Sequence, residues 1–173
     1  MVPRFLKHTQ PFVLVVTFIA LFGIAFLYSW PGDITGAAPV GKTCIVPDDE
    51  TRISEPTVLC GGRYSLTRGL IVSGDNIIFD CDGAVLTGAD EGYGLLLRGN
   101  NNHVKDCIVE HYQYGAYIEG QDNNLEELTL RNNDYGIFAK KQAKAYVYST
   151  TFSNNQQDIL DEGGNMFANN IFP

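Results

Sequence analysis

A six-residue block returns along the chain at nearly constant spacing, and this self-similarity limits the fold more than any other feature. Tyr93-Gly94-Leu95-Leu96-Leu97-Arg98 is followed by Tyr114-Gly115-Ala116-Tyr117-Ile118-Glu119 and Tyr135-Gly136-Ile137-Phe138-Ala139-Lys140, at offsets of 21 and 21 residues. A fourth copy, Gln157-Asp158-Ile159-Leu160-Asp161-Glu162, comes 22 residues later. Between the copies lies a second recurring block: NHVKDCIVE at 102–110, NNLEELTLR at 123–131 and AYVYSTTFS at 145–153. DNIIFDCDG at 75–83 matches its first half, with an insertion before the next Tyr-Gly. Asn-Asn pairs punctuate the joints at 101–102, 123–124, 132–133, 154–155 and 169–170.

A period of this length is too short for two helices per repeat, and the fixed leucine framework of leucine-rich repeats is absent. Short β-branched or aromatic runs separated by Gly and Asn turns suit a coil of parallel strands. Successive coils would stack about 4.8 Å apart, with Asn and Gly taking the left-handed backbone of the corners. Equivalent residues then form columns. Leu95, Ala116, Ile137 and Ile159 make one inward column, with Leu97, Ile118 and Ala139 two positions on. Leu96, Tyr117, Phe138 and Leu160 make an outward apolar stripe, with Tyr93, Tyr114 and Tyr135 at a nearby corner. Arg98, Glu119, Lys140 and Glu162 make an outward column that alternates in sign, which stabilises stacking where like charges would oppose it.

The stretch GRYSLTRGLIVSGDNIIFDCDGAVLTG, followed by YGLLLRGNNNHVKDCIVEHYQYGAYIEG, resembles the right-handed parallel β-helix repeats of NosD-like proteins, related in fold to pectate lyases. The family-like parts are Gly62, Tyr64 and Leu66, the Asp-Cys-x-Gly turn from Asp80 to Gly83, and the repeated Tyr-Gly. The resemblance covers about 59–173. It implies an all-β, right-handed parallel solenoid of about five or six short coils. It specifies no activity, and no copper role carries over, because nothing here matches a copper motif.

Residues 12–30, FVLVVTFIALFGIAFLYSW, carry no charge. At about 1.5 Å per residue they extend roughly 28 Å, close to the hydrocarbon thickness of a bilayer. Arg4 and Lys7 precede them and Asp33 follows, so the positive-inside rule predicts a cytoplasmic tail at 1–11, a transmembrane signal-anchor helix at 12–30 and an extracytoplasmic remainder. A cleaved signal peptide is the competing reading, with small residues at Gly36-Ala37-Ala38. Residues 31–58, rich in Pro and Gly at the start, read as a linker and N-terminal cap, and 59–173 as the β-helix domain.

All four cysteines lie beyond the anchor. An even count in an oxidising compartment reads as disulfides, and Cys44–Cys60 is the favoured pair. Cys81 and Cys107 are left open between a bond and buried thiols. There is no C-x-x-C, and His103 and His111 lack a metal-site spacing.

The whole chain carries 12 basic and 20 acidic residues. Without the two leader cations, the exported part has ten against twenty. That balance excludes nucleic acid as a partner and disfavours anionic polymers. The one acidic column is Asp80, Asp106 and Glu127. Three stacked carboxylates would repel unless a cation sat among them, and calcium is the cofactor such a column could take; otherwise none is implied. The resemblance adds that pectate-lyase relatives combine a calcium-holding carboxylate cluster with an arginine base. The Tyr-Gly face carries no paired carboxylates, so no catalytic residue is assigned and catalysis is not expected.

The sequence thus predicts a membrane-anchored module for surface recognition or scaffolding, with carbohydrate binding on Leu96, Tyr117, Phe138 and Leu160. The alternatives are a calcium-dependent polysaccharide lyase or hydrolase and a structural protein–protein module. Because the sequence stops part-way through a coil, pairing with a second copy is a further expectation.

Overall fold

A computed structural model of the chain describes residues 43–173. The segments expected as tail (1–11), membrane span (12–30) and the start of the linker (31–42) lie outside the described residues.

The described chain winds through three strands per turn. The first turn holds β1 (Arg52–Ile53), β2 (Thr57–Val58) and β3 (Arg63–Ser65). The second holds β4 (Leu70–Val72), β5 (Ile78–Asp80) and β6 (Val85–Thr87). The third holds β7 (Tyr93–Leu97), β8 (His103–Lys105) and β9 (Ile108–Glu110). The fourth holds β10 (Tyr114–Ile118), β11 (Asn123–Glu126) and β12 (Thr129–Arg131). The fifth holds β13 (Tyr135–Ala139), β14 (Ala145–Tyr148) and β15 (Thr151–Ser153), and β16 (Gln157–Asp161) and β17 (Met166–Ala168) begin another. Each strand pairs in parallel with its equivalent one turn away, giving three sheets. The first contains β1, β4, β7, β10, β13 and β16; the second β2, β5, β8, β11, β14 and β17; the third β3, β6, β9, β12 and β15.

Register follows the repeat. Leu95, Ala116, Ile137 and Ile159 are Cα partners in succession, as are Leu96, Tyr117, Phe138 and Leu160. Leu95, Ala116, Ile137, Leu97, Ile118 and Ala139 are fully buried. Phe79, Val104, Leu125 and Val147 face them from the second sheet, and Leu86, Val109, Leu130 and Phe152 from the third. Burying each such large side chain contributes about 1.5–3 kcal/mol. The coil begins before residue 59: β1 and β2 already pair with β4 and β5, and Ile45 bridges to Leu59. Strands of two residues are too short to show a repeat in the sequence.

The corners explain the asparagine pairs. In 101–102, 132–133, 154–155 and 169–170 the first Asn has left-handed backbone. Asn tolerates that conformation because its short amide can hydrogen-bond locally. The second Asn turns inward and satisfies backbone groups of adjacent coils. Asn102 Oδ1 accepts from Ile77 N at 2.8 Å, its own N–H donates to Asn123 Oδ1 at 3.0 Å, and Asn123 Nδ2 donates to the Gly99 carbonyl at 3.0 Å. The pair at 123–124 departs from this pattern. Asp122 takes the left-handed corner, Asn123 the inward place, and Asn124 lies within β11.

The glycine of Tyr-Gly is needed for closeness rather than for positive φ. A Cβ at Gly115 would lie 2.7 Å from the Gly136 carbonyl oxygen, and one at Gly94 would lie 2.1 Å from Val109 Cγ1.

Both cysteine pairs are disulfides, Cys44–Cys60 as expected and Cys81–Cys107 in addition. The first closes the segment that leads into the coil. The second links neighbouring turns beside the corner between the second and third sheets.

Candidate functional site: the aromatic face of the first sheet

Strand alternation turns positions 96, 117, 138 and 160 outward, and the column continues back through Ile71 and Arg52. The tyrosines that open β7, β10 and β13 are also in register, Tyr93 with Tyr114 and Tyr114 with Tyr135. Their rings join the outward column. Tyr117 lies 4.9 Å from Phe138, 5.1 Å from Tyr114 and 5.4 Å from Tyr93 between centroids. Tyr114 lies 5.3 Å from Tyr135 and 5.4 Å from Phe138. Five rings thus form one half-buried strip.

One expectation changes here. Leu96 is not part of an exposed stripe, being only 2% exposed. It sits between Ile71 and Tyr117 in its column, and Tyr93 on its own strand reaches across to Tyr117. The rings of the strip also pack on one another. Tyr117 and Phe138 are 21° apart in plane and Tyr114 and Tyr135 18°, both stacked. Tyr114 meets Tyr117 at 78° and Phe138 at 61°, and Tyr93 meets Tyr117 at 56°, so the strip combines stacked and edge-on contacts. Burial pushes the Tyr114 phenol up, which keeps it a neutral hydroxyl. Phe138 and Leu160 are partly exposed.

The charged column borders the strip as expected. Glu119 pairs with Arg98 at 3.3 Å and with Lys140 at 2.6 Å. The Lys140 hydrogen bond holds the Glu119 carboxyl below its usual range. The same ammonium stands 5.4 Å from the Tyr117 ring centroid, a cation–π placement. At the other side of the strip, Tyr93 borders a groove of about 500 Å3 lined also by Glu50, Thr67, Arg68, Glu91 and Gln113.

The acidic column does not form. Matching Cys81 with Cys107 in the sequence sets Asp80 over Asp106, but Asp80 is in register with Lys105. The turn after β5 runs through 81–84, whereas the later ones use only 106–107 and 127–128. Lys105 Nζ lies 2.9 Å from Asp80 and 3.5 Å from Asp106, and Asp80 holds the ammonium above its ordinary range. Asp106 and Glu127 occupy left-handed corners. Among the described residues no three His, Cys, Asp or Glu side chains are grouped to hold a metal ion, so the calcium column Asp80, Asp106 and Glu127 is a product of the shifted alignment.

Sequence reasoning missed a polar centre on the third sheet. Glu110, with a side chain 7% exposed, accepts from Arg131 Nε at 2.8 Å and Thr87 Oγ1 at 3.0 Å, and pairs with Arg63. Burial alone would raise its pKa; the two guanidiniums and the hydroxyl outweigh it and hold the carboxyl below its ordinary value. The 21-residue offset between Glu110 and Arg131 was the available signal. On the second sheet His103 Nε2 meets Glu126 Oε2 at 2.7 Å.

The family described as right-handed β-helix region matches residues 68–172. The chain belongs to that family. No curated protein and no solved structure matches it. Membership in the right-handed β-helix family fixes the architecture and leaves the chemistry to the faces of this particular coil.

Proposed function

We propose that this β-helix is a non-catalytic recognition module, displayed outside the cytoplasm on a tether at residues 12–30, that docks a neutral polysaccharide along the first sheet. The observation that carries the reading is the unbroken aromatic strip from Tyr93 through Tyr117 to Phe138, flanked by Tyr114 and Tyr135. Aromatic rings supply apolar contact to sugar C–H groups, and phenol hydroxyls supply hydrogen bonds. The bordering column Arg98, Glu119, Lys140 and Glu162 carries two charges of each sign, which suits an uncharged chain, while the net acidity of the molecule repels an anionic one. Both disulfides, with no free cysteine among the described residues, support an oxidising compartment. The distribution of acids supports binding rather than cleavage: Asp80 is bound to Lys105, and the strip carries no paired carboxylates.

The test is affinity electrophoresis of the full-length chain in detergent through gels of hydroxyethyl cellulose, mannan, laminarin or polygalacturonate. Retardation by at least one neutral polymer, lost in Tyr117→Ala and in Tyr135→Ala with unchanged circular dichroism, is the expected result. Absence of retardation in every neutral gel would sink the reading. In that case, crosslinking through the strip would identify a protein partner instead, since an aromatic centre with a polar rim is also the anatomy of a protein interface.

A further inference from the structure

Besides the longer turn after β5, the repeat departs from its period at the corner that leads from the third sheet back to the first. Later turns make this corner with three residues, 111–113, 132–134 and 154–156. The earlier ones use 66–69 and 88–92. Leu66 of the first long corner packs into the core, whereas Thr67, Arg68 and Glu91 stay on the surface, and loops that depart from a rigid scaffold are where binding groups concentrate. Here they build the groove beside Tyr93. Thr67 and Arg68 come from one long corner, Glu91 from the next and Gln113 from the third, with Glu50 just before β1.

The groove differs from the strip in kind. Its volume of about 500 Å3 lies in the range of small-molecule sites, about 300–1,000 Å3. Its walls combine two carboxylates, a guanidinium, an amide and a hydroxyl with a single ring. Such groups offer donors and acceptors pointing in several directions, which is what distinguishes one sugar's hydroxyl pattern from another. Arg68 is positioned by its own backbone N–H, which donates to Asp49 Oδ1 at 2.6 Å, and its Nη1 reaches Glu50 Oε1 at 3.1 Å. That pair is solvent-accessible, 69% and 52% exposed, so hydroxyls can share its hydrogen bonds without first breaking a buried contact. Tyr93 belongs to both features: it lines the groove, and its ring lies 5.4 Å from Tyr117.

The geometry points to the groove as a specificity subsite that holds one end of a neutral glycan, the rest of which lies on the aromatic strip. This rests on the docking reading above and adds to it where the chain is read. The strip supplies length-dependent contact with little discrimination; the groove selects the terminal sugar through Arg68, Glu91 and Gln113.

The experiment is isothermal titration of the full-length chain in detergent with cellotetraose, mannotetraose and laminaritetraose, run beside the polymer gels. One tetrasaccharide is expected to bind, and Arg68→Ala and Glu91→Gln should each weaken it at least tenfold while reducing polymer retardation much less. Both side chains are on the surface, and Glu91→Gln keeps the shape, so folding should be preserved. If the parent is retarded by polymer and Tyr117→Ala is not, yet no tetrasaccharide binds, or both groove variants bind it as the parent does, the groove assignment is wrong and the strip stands. If the parent is not retarded by any neutral polymer, the docking reading fails first and the groove assignment falls with it.

Discussion

Single asparagines act here as backbone partners more than as surface groups. Asn133 is 3% exposed. Its Oδ1 accepts from Tyr112 N at 3.1 Å, and its Nδ2 donates to the Val109 carbonyl at 3.2 Å. Replacing it with Ala leaves those two buried groups unmatched, and each such loss costs about 1–3 kcal/mol. Asn133→Ala should therefore lower the urea midpoint clearly, while Asn124→Ala, outward on β11, should hardly move it. Gly115→Ala tests the other local rule. The added methyl meets the Gly136 carbonyl, and such overpacking costs about 1–3 kcal/mol. Thermal unfolding should show the loss, although alanine is otherwise a mild change.

At the scale of elements, the third sheet is tied by the Arg63–Glu110–Arg131 centre. Its carboxyl is held below the ordinary value of 4.5. The unfolded chain therefore takes up that proton first as the pH falls. The stabilisation is fully present above about pH 4.5 and is lost as pH drops through the lower folded value. Glu110→Gln should be less stable than the parent at pH 7 by about 1–3 kcal/mol, with the gap narrowing below pH 4.5. Urea unfolding at pH 7 and pH 3 measures both, and a constant gap would contradict the assignment. The Cys81–Cys107 bond joins residues separated by 26 positions. Closing a loop of that size stabilises by about 3 kcal/mol through the unfolded state. A Cys81→Ala, Cys107→Ala double variant should lose about that amount, read from the same denaturant curves.

For the coil as a whole, each turn rests on its neighbours, so stability is close to a sum of local and nearest-neighbour terms. Its two described ends are not alike. The first turn is closed by Cys44–Cys60, whereas the last leaves Met166, Ile171 and Phe172 more than half exposed. Hydrogen exchange should proceed fastest in β16 and β17, more slowly in β1 and β2, and slowest in β7 and β10, which have partners on both sides. Mass spectrometry of exchanging peptides would show this gradient. Faster exchange at β7 than at β16 would contradict it.

The sequence by itself determined the coil, the register of the first sheet and one disulfide. Those follow from covalent order: a 21-residue period with apolar alternation has one way to bury Leu95, Ala116 and Ile137 together and to stack Arg98, Glu119 and Lys140. Only the tertiary structure decided what depends on a turn's length or a ring's tilt. The pairing of β5 with β8 sets Asp80 beside Lys105 rather than Asp106 and dissolves the acidic column. Coil spacing packs the strip's rings on one another, some stacked and some edge-on, and Leu96 in the same column is buried. The Glu110 centre and the groove at Arg68 and Glu91 arise because residues from separate turns converge in space, a proximity that linear spacing specifies only after the corners are built.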